Sequence, residues 1–202
     1  MSRRGQRDPD SLIHEAARLI CEEAVTDYRV ARRKAAERLG LRLHSAGGDH
    51  SAIEAAALEW LELFGGPDYR RRLWKMRDTA VRAMRMLASF EPRLVGAVVS
   101  GAVGAAHRVQ LHAFAEQAER IDIFLQDRGI PFEQDERDFR FADGTIASHP
   151  LVRFEAADVG VDIAAFMPEE RRRQPLSPVD GQPMRRLTLA QAEALLHATA
   201  PA

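Results

Sequence analysis

Cysteine is almost absent from this chain of 202 residues: Cys21 is its one thiol, so an internal disulfide cannot form and a cysteine-built zinc site is excluded. Long apolar runs are missing too. The longest, residues 94–99, falls far short of the roughly 20 residues that span a bilayer, and a membrane partner is not expected. Lysine is scarce, with Lys34 and Lys75 the only two among 29 basic residues. Positive charge is therefore carried by arginine, whose planar fork suits phosphate and carboxylate better than an ammonium does. Neither lysine lies in a Gly-Lys-Ser/Thr loop, which excludes the P-loop route to nucleoside triphosphates. The basic opening runs into Asp8-Pro9-Asp10 and an amphipathic segment rather than an uncharged apolar stretch, so a reducing, cytoplasmic setting is expected.

What is present is an ordinary globular composition, 46% apolar and 29% charged, with an uneven charge distribution beneath a net charge of −1. Residues 1–90 carry 17 basic against 13 acidic side chains, and residues 91–202 carry 12 against 17. The texture changes at the same place. Leu12, Ala16, Leu19, Ile20 and Ala24 keep a helical spacing, and Tyr28, Ala31, Ala35 and Leu39 form a second stripe ending at Gly40, a favoured helix-stop residue. Ser51 and Glu54 read as a capping box for a third helix that Gly65-Gly66-Pro67 ends. A fourth runs from Asp68 towards Glu91-Pro92. Beyond Pro92 the period shortens: residues 94–100 read as a strand, and in residues 108–114 Val109, Leu111 and Ala113 alternate with Gln110, His112 and Phe114. A helix over 116–128, strands over 138–141, 151–155 and 159–166, and a last helix capped at Thr188 complete the expectation. The fold class is α+β, with a helical region over 1–91 and a small mixed-sheet domain over 92–202.

The order strand, Gly-rich turn, polar-alternating strand, helix and later strand with one buried acid resembles the nucleotidyltransferase superfamily related to polymerase β, over residues 94–166. More closely, the chain resembles a family of bacterial proteins of about this length described as nucleotidyltransferase-like and sometimes labelled UDP-N-acetylmuramate-alanine ligases. The stretches that carry this are Asp27-Tyr-Arg-Val-Ala-Arg-Arg-Lys-Ala-Ala-Glu-Arg-Leu-Gly40, Phe90-Glu-Pro-Arg-Leu-Val-Gly96, Arg128-Gly-Ile-Pro-Phe132 and Pro175-Leu-Ser-Pro-Val-Asp-Gly-Gln-Pro-Met184. The superfamily resemblance implies a site opened by Gly101 and Ala102, with Gly104, against phosphate. It puts Gln110 and His112 where two metal-binding carboxylates belong, and Asp162 at the third. One acid of three cannot offset two Mg²⁺ ions, which favour oxygen over imidazole. The expectation is a degenerate metal site that binds a nucleotide or nucleic acid with altered or lost catalysis. In an active version Asp162 would be the surviving Mg²⁺ ligand and His112 the candidate base. A second register through Asp122 breaks the helical stripe around it.

Other features admit two readings each. His112 with Asp162 is a chemical pair or a structural hydrogen bond, and His107 would enlarge it to two imidazoles and a carboxylate for one zinc- or iron-type ion. The turn from Gly101 to Gly104 is a phosphate nest or a tight connection. Basic clusters that include Arg32, Arg33 and Arg71 either track RNA or another partner such as a protein, or form a solvated face. Arg171, Arg172 and Arg173 close over an anion or belong to a strap whose Ser177 and Asp180 do turn chemistry.

Overall fold

The computed structural model describes residues 9–42 and 50–199. They divide into two compact units. One holds the chain up to Tyr69 with Ala102–His107 and Pro178–Gly181, and the other holds Arg70–Gly101, Arg108–Ser177 and the chain from Gln182. The units do not part at Pro92: residues 70–91 belong with the sheet.

In the helical unit, α1 (Pro9–Glu22), α2 (Tyr28–Leu39) and α3 (Ser51–Phe64) pack with α1 in contact with both others. Small residues make this close approach possible, since Ala16, Ala31, Ala35 and Ala57 are fully buried beside Leu19 and Ile20. α2 starts where the Asp27 carboxylate accepts the N–H groups of Arg29 and Val30 at 2.7 and 3.2 Å. It stops, as its stripe indicates, at Gly40 in the left-handed region. The capping box expected at Ser51 does not form. Ser51 is already helical and His50 stands at the cap with no side-chain bond to the first-turn N–H groups, its own N–H taken by Val179 O at 2.6 Å. Gly104 belongs to this unit because a Cβ there would lie 2.2 Å from Ile20 O.

α4 (Gly66–Met86) runs from the helical unit into the second. There the sheet comprises β1 (Arg93–Val95), β2 (Val109–Phe114), β3 (Phe132–Arg140), β4 (Ile146–Ala156) and β5 (Val159–Phe166) in the order β1-β2-β5-β4-β3. β2 and β5 are parallel and every other pair is antiparallel, a mixed sheet in an α+β fold. The strand expected over 94–100 is cut short: β1 ends at Val95, and Gly96 at φ +76° leads into α5 (Ala97–Ser100). A side chain at Gly96 would also meet Gln110 Oε1 at 2.6 Å. β3 is longer than residues 138–141 because it is a charged edge strand, largely exposed on both faces, where hydrophobic alternation has nothing to mark. β5 is the reverse, buried along its whole length.

The alternation in β2 sorts its residues as the sequence indicates. Val109, Leu111 and Ala113 share one face with Val161 and Ile163 of β5, and α6 (Glu119–Gln126) lies on that side, where Gln134 donates to Asp122 at 2.6 Å. Gln110, His112 and Phe114 share the other with Asp162, Ala164 and Phe166. This second face holds an apolar cluster of Val95, Phe114, Phe139, Phe141, Leu151, Phe166 and Met184, and it carries the polar side chains considered next. α7 (Leu189–His197) is the last element of the described residues, its capping box at Thr188 formed as expected.

Candidate functional site

Strand pairing brings the three sequence-indicated residues to one face. Gln110 is the Cα partner of Asp162 across β2 and β5, and His112 lies one pleat further along, beside Ala164. All three line one small cavity with Arg137, Phe139, Leu151 and Met184. Its volume is about 10 Å³, room for a single water molecule. A nucleotide does not enter it.

Asp162 is committed elsewhere. Its Oδ1 accepts from Arg108 Nε at 2.6 Å, and Arg153 Nε stands 4.0 Å away. The rest of the Arg108 fork donates to Glu155 at 2.5 Å and to Phe154 O at 3.1 Å. Gly160 makes the space for this guanidinium, because a Cβ there would fall 2.1 Å from Arg108 Nη1. Arg108 thus supplies, as a side chain, the positive charge that a metal would bring to this carboxylate. Gln110 and His112 add no anionic oxygen, so the donor set does not fit two Mg²⁺ ions. Among the described residues no group of three His, Cys, Asp or Glu side chains gathers as a metal set.

His112 is not paired with Asp162. Its Nδ1 accepts from Arg186 Nε at 2.9 Å, and its ring packs against Phe139 and Phe166 at 5.3 and 4.5 Å. Burial pushes its pKa well below the usual imidazole value, and the charges of Arg186 and Arg137, with His149, push the same way. A neutral, buried imidazole already accepting at Nδ1 is a structural histidine. His107 has a local task too, its Nδ1 accepting the Gly104 N–H at 3.0 Å. The glycine turn spends its donors on itself: Gly101 N–H goes to Ala97 O at 2.7 Å and Gly104 N–H to His107, while Ala102 is fully buried. That is a packed connection rather than an open phosphate nest.

The chain was compared with family models and with curated proteins. Neither matches it.

The basic residues divide by partner. Arg29 pairs with Asp27, and Arg38 pairs with Glu23 and Glu15. Arg32, half-buried, and Arg33, exposed on α2, make no ion pair or hydrogen bond among the described residues. Arg71 lies on α4 in the other unit, exposed and with a partner of its own.

Two residues that matter most at the sheet face, Arg108 and Arg186, are absent from the sequence expectations. A signal for Arg108 existed. On an extended strand, residues two apart share a face, so Arg108 falls on the side of Gln110 and Gly160 on the side of Asp162. For Arg186 there was none, because it sits in an irregular segment whose path no local period encodes.

Proposed function

We propose that this protein is a nucleotidyltransferase-like domain that binds a nucleotide or nucleic acid and has lost metal-dependent transfer. The observation that carries this is the Arg108 guanidinium on Asp162, the one acid at the three positions where the superfamily holds its metals. Two-metal transfer stabilises the attacking and leaving oxygens with divalent charge. A fixed guanidinium can balance a carboxylate, or meet a phosphate, but it cannot offer open coordination positions to both oxygens.

Thermal unfolding with each nucleoside triphosphate, with and without Mg²⁺ or Mn²⁺, tests the reading. Any stabilisation by nucleotide is expected to be the same in both metals and in their absence, and no pyrophosphate is expected to be released. A metal-dependent rise in melting temperature that Asp162→Ala abolishes would overturn it.

A second reading is favoured by Arg32 and Arg33, which make no ion pair or hydrogen bond among the described residues. In it this stretch of α2 docks on RNA or on an acidic protein surface and the sheet is scaffold. Arg32→Gln with Arg33→Gln is then expected to lower the salt dependence of RNA binding, and an unchanged salt dependence would remove this face from consideration.

A further inference from the structure

The arginine-rich segment after β5 is a strap with two limbs laid side by side. Leu176 N–H donates to Arg140 O, Ser177 N–H to Gln182 O and Met184 N–H to Pro175 O, each at 2.7 Å. Leu176 and Pro183 bridge, and Leu187 exchanges two hydrogen bonds with Leu94. Arg171, Arg172 and Arg173 therefore lie on one limb, and Arg185 and Arg186 on the other.

The five arginines divide into inward and outward sets. Arg171 pairs with Glu91 at 2.6 Å, and Arg173 pairs with Asp143 at 2.8 Å while lying 4.0 Å over the Phe141 ring. Arg186 reaches His112 with Nε and the carbonyls of Glu170, Arg171 and Arg173 with Nη1. Its Nη2 is buried without a hydrogen-bond partner, and its guanidinium lies 4.7 Å over Phe166. These three fasten the strap. Arg172 and Arg185 point outward, exposed, and make no ion pair or hydrogen bond among the described residues. Arg140, whose carbonyl holds the first limb, has an exposed side chain equally without one.

The strap carries three acids against its five arginines, and among the described residues none of them pairs with Arg172 or Arg185. The acids of the strap are Glu169, which is exposed, Glu170, whose carboxylate accepts the Met167 N–H at 3.0 Å and faces His149, and Asp180 at the turn that joins the limbs. The fastening layer is itself positive: burial draws the Arg186 pKa down to about 10, the nearby Arg93 acts in the same direction and Glu170 opposes. Arginine does not give up its proton in proteins. The strap therefore holds unneutralised cations in front and a poorly compensated one behind, and its surface potential rewards an incoming anion.

We propose that the strap is a phosphate-binding ribbon whose outward arginines, Arg172 and Arg185, engage the sugar-phosphate backbone of a nucleic acid. The proposal rests on the nucleotide or nucleic-acid reading above and names the surface that serves it. Guanidinia spread over two limbs suit a repeating phosphate chain, whereas a mononucleotide would require convergence on a cavity. The aromatic rings beneath the strap, Phe114, Phe141 and Phe166, are buried and cannot stack on bases. Binding is accordingly set by phosphate and is independent of sequence.

The test is fluorescence anisotropy of the full chain with a labelled single-stranded RNA over a series of salt concentrations. Each phosphate contact to a single strand contributes about 0.7 to the slope of log K against log salt, so Arg172→Gln with Arg185→Gln is expected to reduce that slope by about 1.4. Affinity at low salt should fall several-fold with the melting temperature unchanged. Wild-type binding whose slope the double variant does not move overturns the strap while leaving the broader reading standing. Failure of the wild-type chain to bind RNA or DNA at low salt overturns the strap, and failure to bind nucleotide as well overturns the broader reading with it. Phosphatidylserine vesicles form the control arm, and binding there with the same loss in the double variant, and none to RNA, overturns the nucleic-acid assignment.

Discussion

Arg108 and Asp162 bear on stability as well as on lost chemistry. Asp162 is nearly buried, at 8% exposure, so removing its partner strands a carboxylate in a poorly solvated place. Arg108→Met is expected to cost about 2–3 kcal/mol, less than a fully buried pair would lose, because Arg153 stands near and the site touches solvent. Replacing both, Arg108→Met with Asp162→Leu, removes the stranded charge and is expected to cost distinctly less than the sum of the single losses. Urea unfolding of the three variants measures this, and strictly additive losses would show that the two side chains do not act as a pair. His112 supplies a pH dependence with a definite sign. Its folded pKa lies below the ordinary 6.5, so under pH 6.5 the unfolded chain takes a proton that the folded chain refuses. Stability from this group is complete above that pH and is lost as pH falls towards the folded value, by at most ~1.4 kcal/mol per pH unit. His112→Gln keeps an acceptor for Arg186 and removes the titration. Unfolding free energies at pH 5, 6 and 7 should fall less steeply in this variant, and parallel pH profiles would contradict the assignment.

At the scale of elements, legibility followed burial. The facing of β2 was readable, although the strand starts at Val109 rather than at Arg108, because one of its faces is lined by Val109, Leu111 and Ala113 and the other carries Gln110 and His112, a contrast that the period of two displays. β5 was readable as an apolar run broken by Asp162. β3 was not, since an exposed edge strand needs no apolar face, and the end of β1 was not, since it depends on a tertiary close approach between Gly96 and Gln110. Caps were legible only where the helix boundary was: Thr188 caps α7, whereas at α3 the helix starts one residue earlier than the Ser51 signal. Thr188→Ala is expected to cost about 1 kcal/mol, the ordinary loss for an N-cap oxygen, read as a lowered urea midpoint with an unchanged denaturant slope. Gly104→Ala should cost more than that, because a methyl group 2.2 Å from the Ile20 carbonyl presses on α1 backbone rather than on a movable side chain. A Gly104→Ala protein as stable as the parent would mean that this turn does not pack as described.

At the scale of the whole chain, the charge division at Pro92 is real as composition but is not a structural boundary. The fold class was legible because it depends on local periods. The membership of the units was not, because Ala102–His107 and Pro178–Gly181 join the helical unit through contacts distant in sequence. Val179 packs against the cluster formed by Ala16, Leu19, Ile20 and Tyr28, its carbonyl takes the His50 N–H, and Gly104 lies on the Ile20 carbonyl. A fragment of residues 1–91 would keep the helical stripes but lose both insertions, uncovering apolar surface on α1 and leaving the start of α3 without the Val179 contact. Residues 70–86 of α4 would at the same time lose the sheet unit in which Leu73, Met76, Val81 and Met84 are buried. The fragment is therefore expected to show helical circular dichroism with a broad, weakly cooperative melt and exposed apolar surface that binds a hydrophobic dye, the behaviour of a compact chain without fixed packing. The full chain should melt in a sharp transition under the same conditions. A fragment that melts as sharply as the parent, without dye binding, would show that the helical region holds its own core and that the two insertions are ornaments on it.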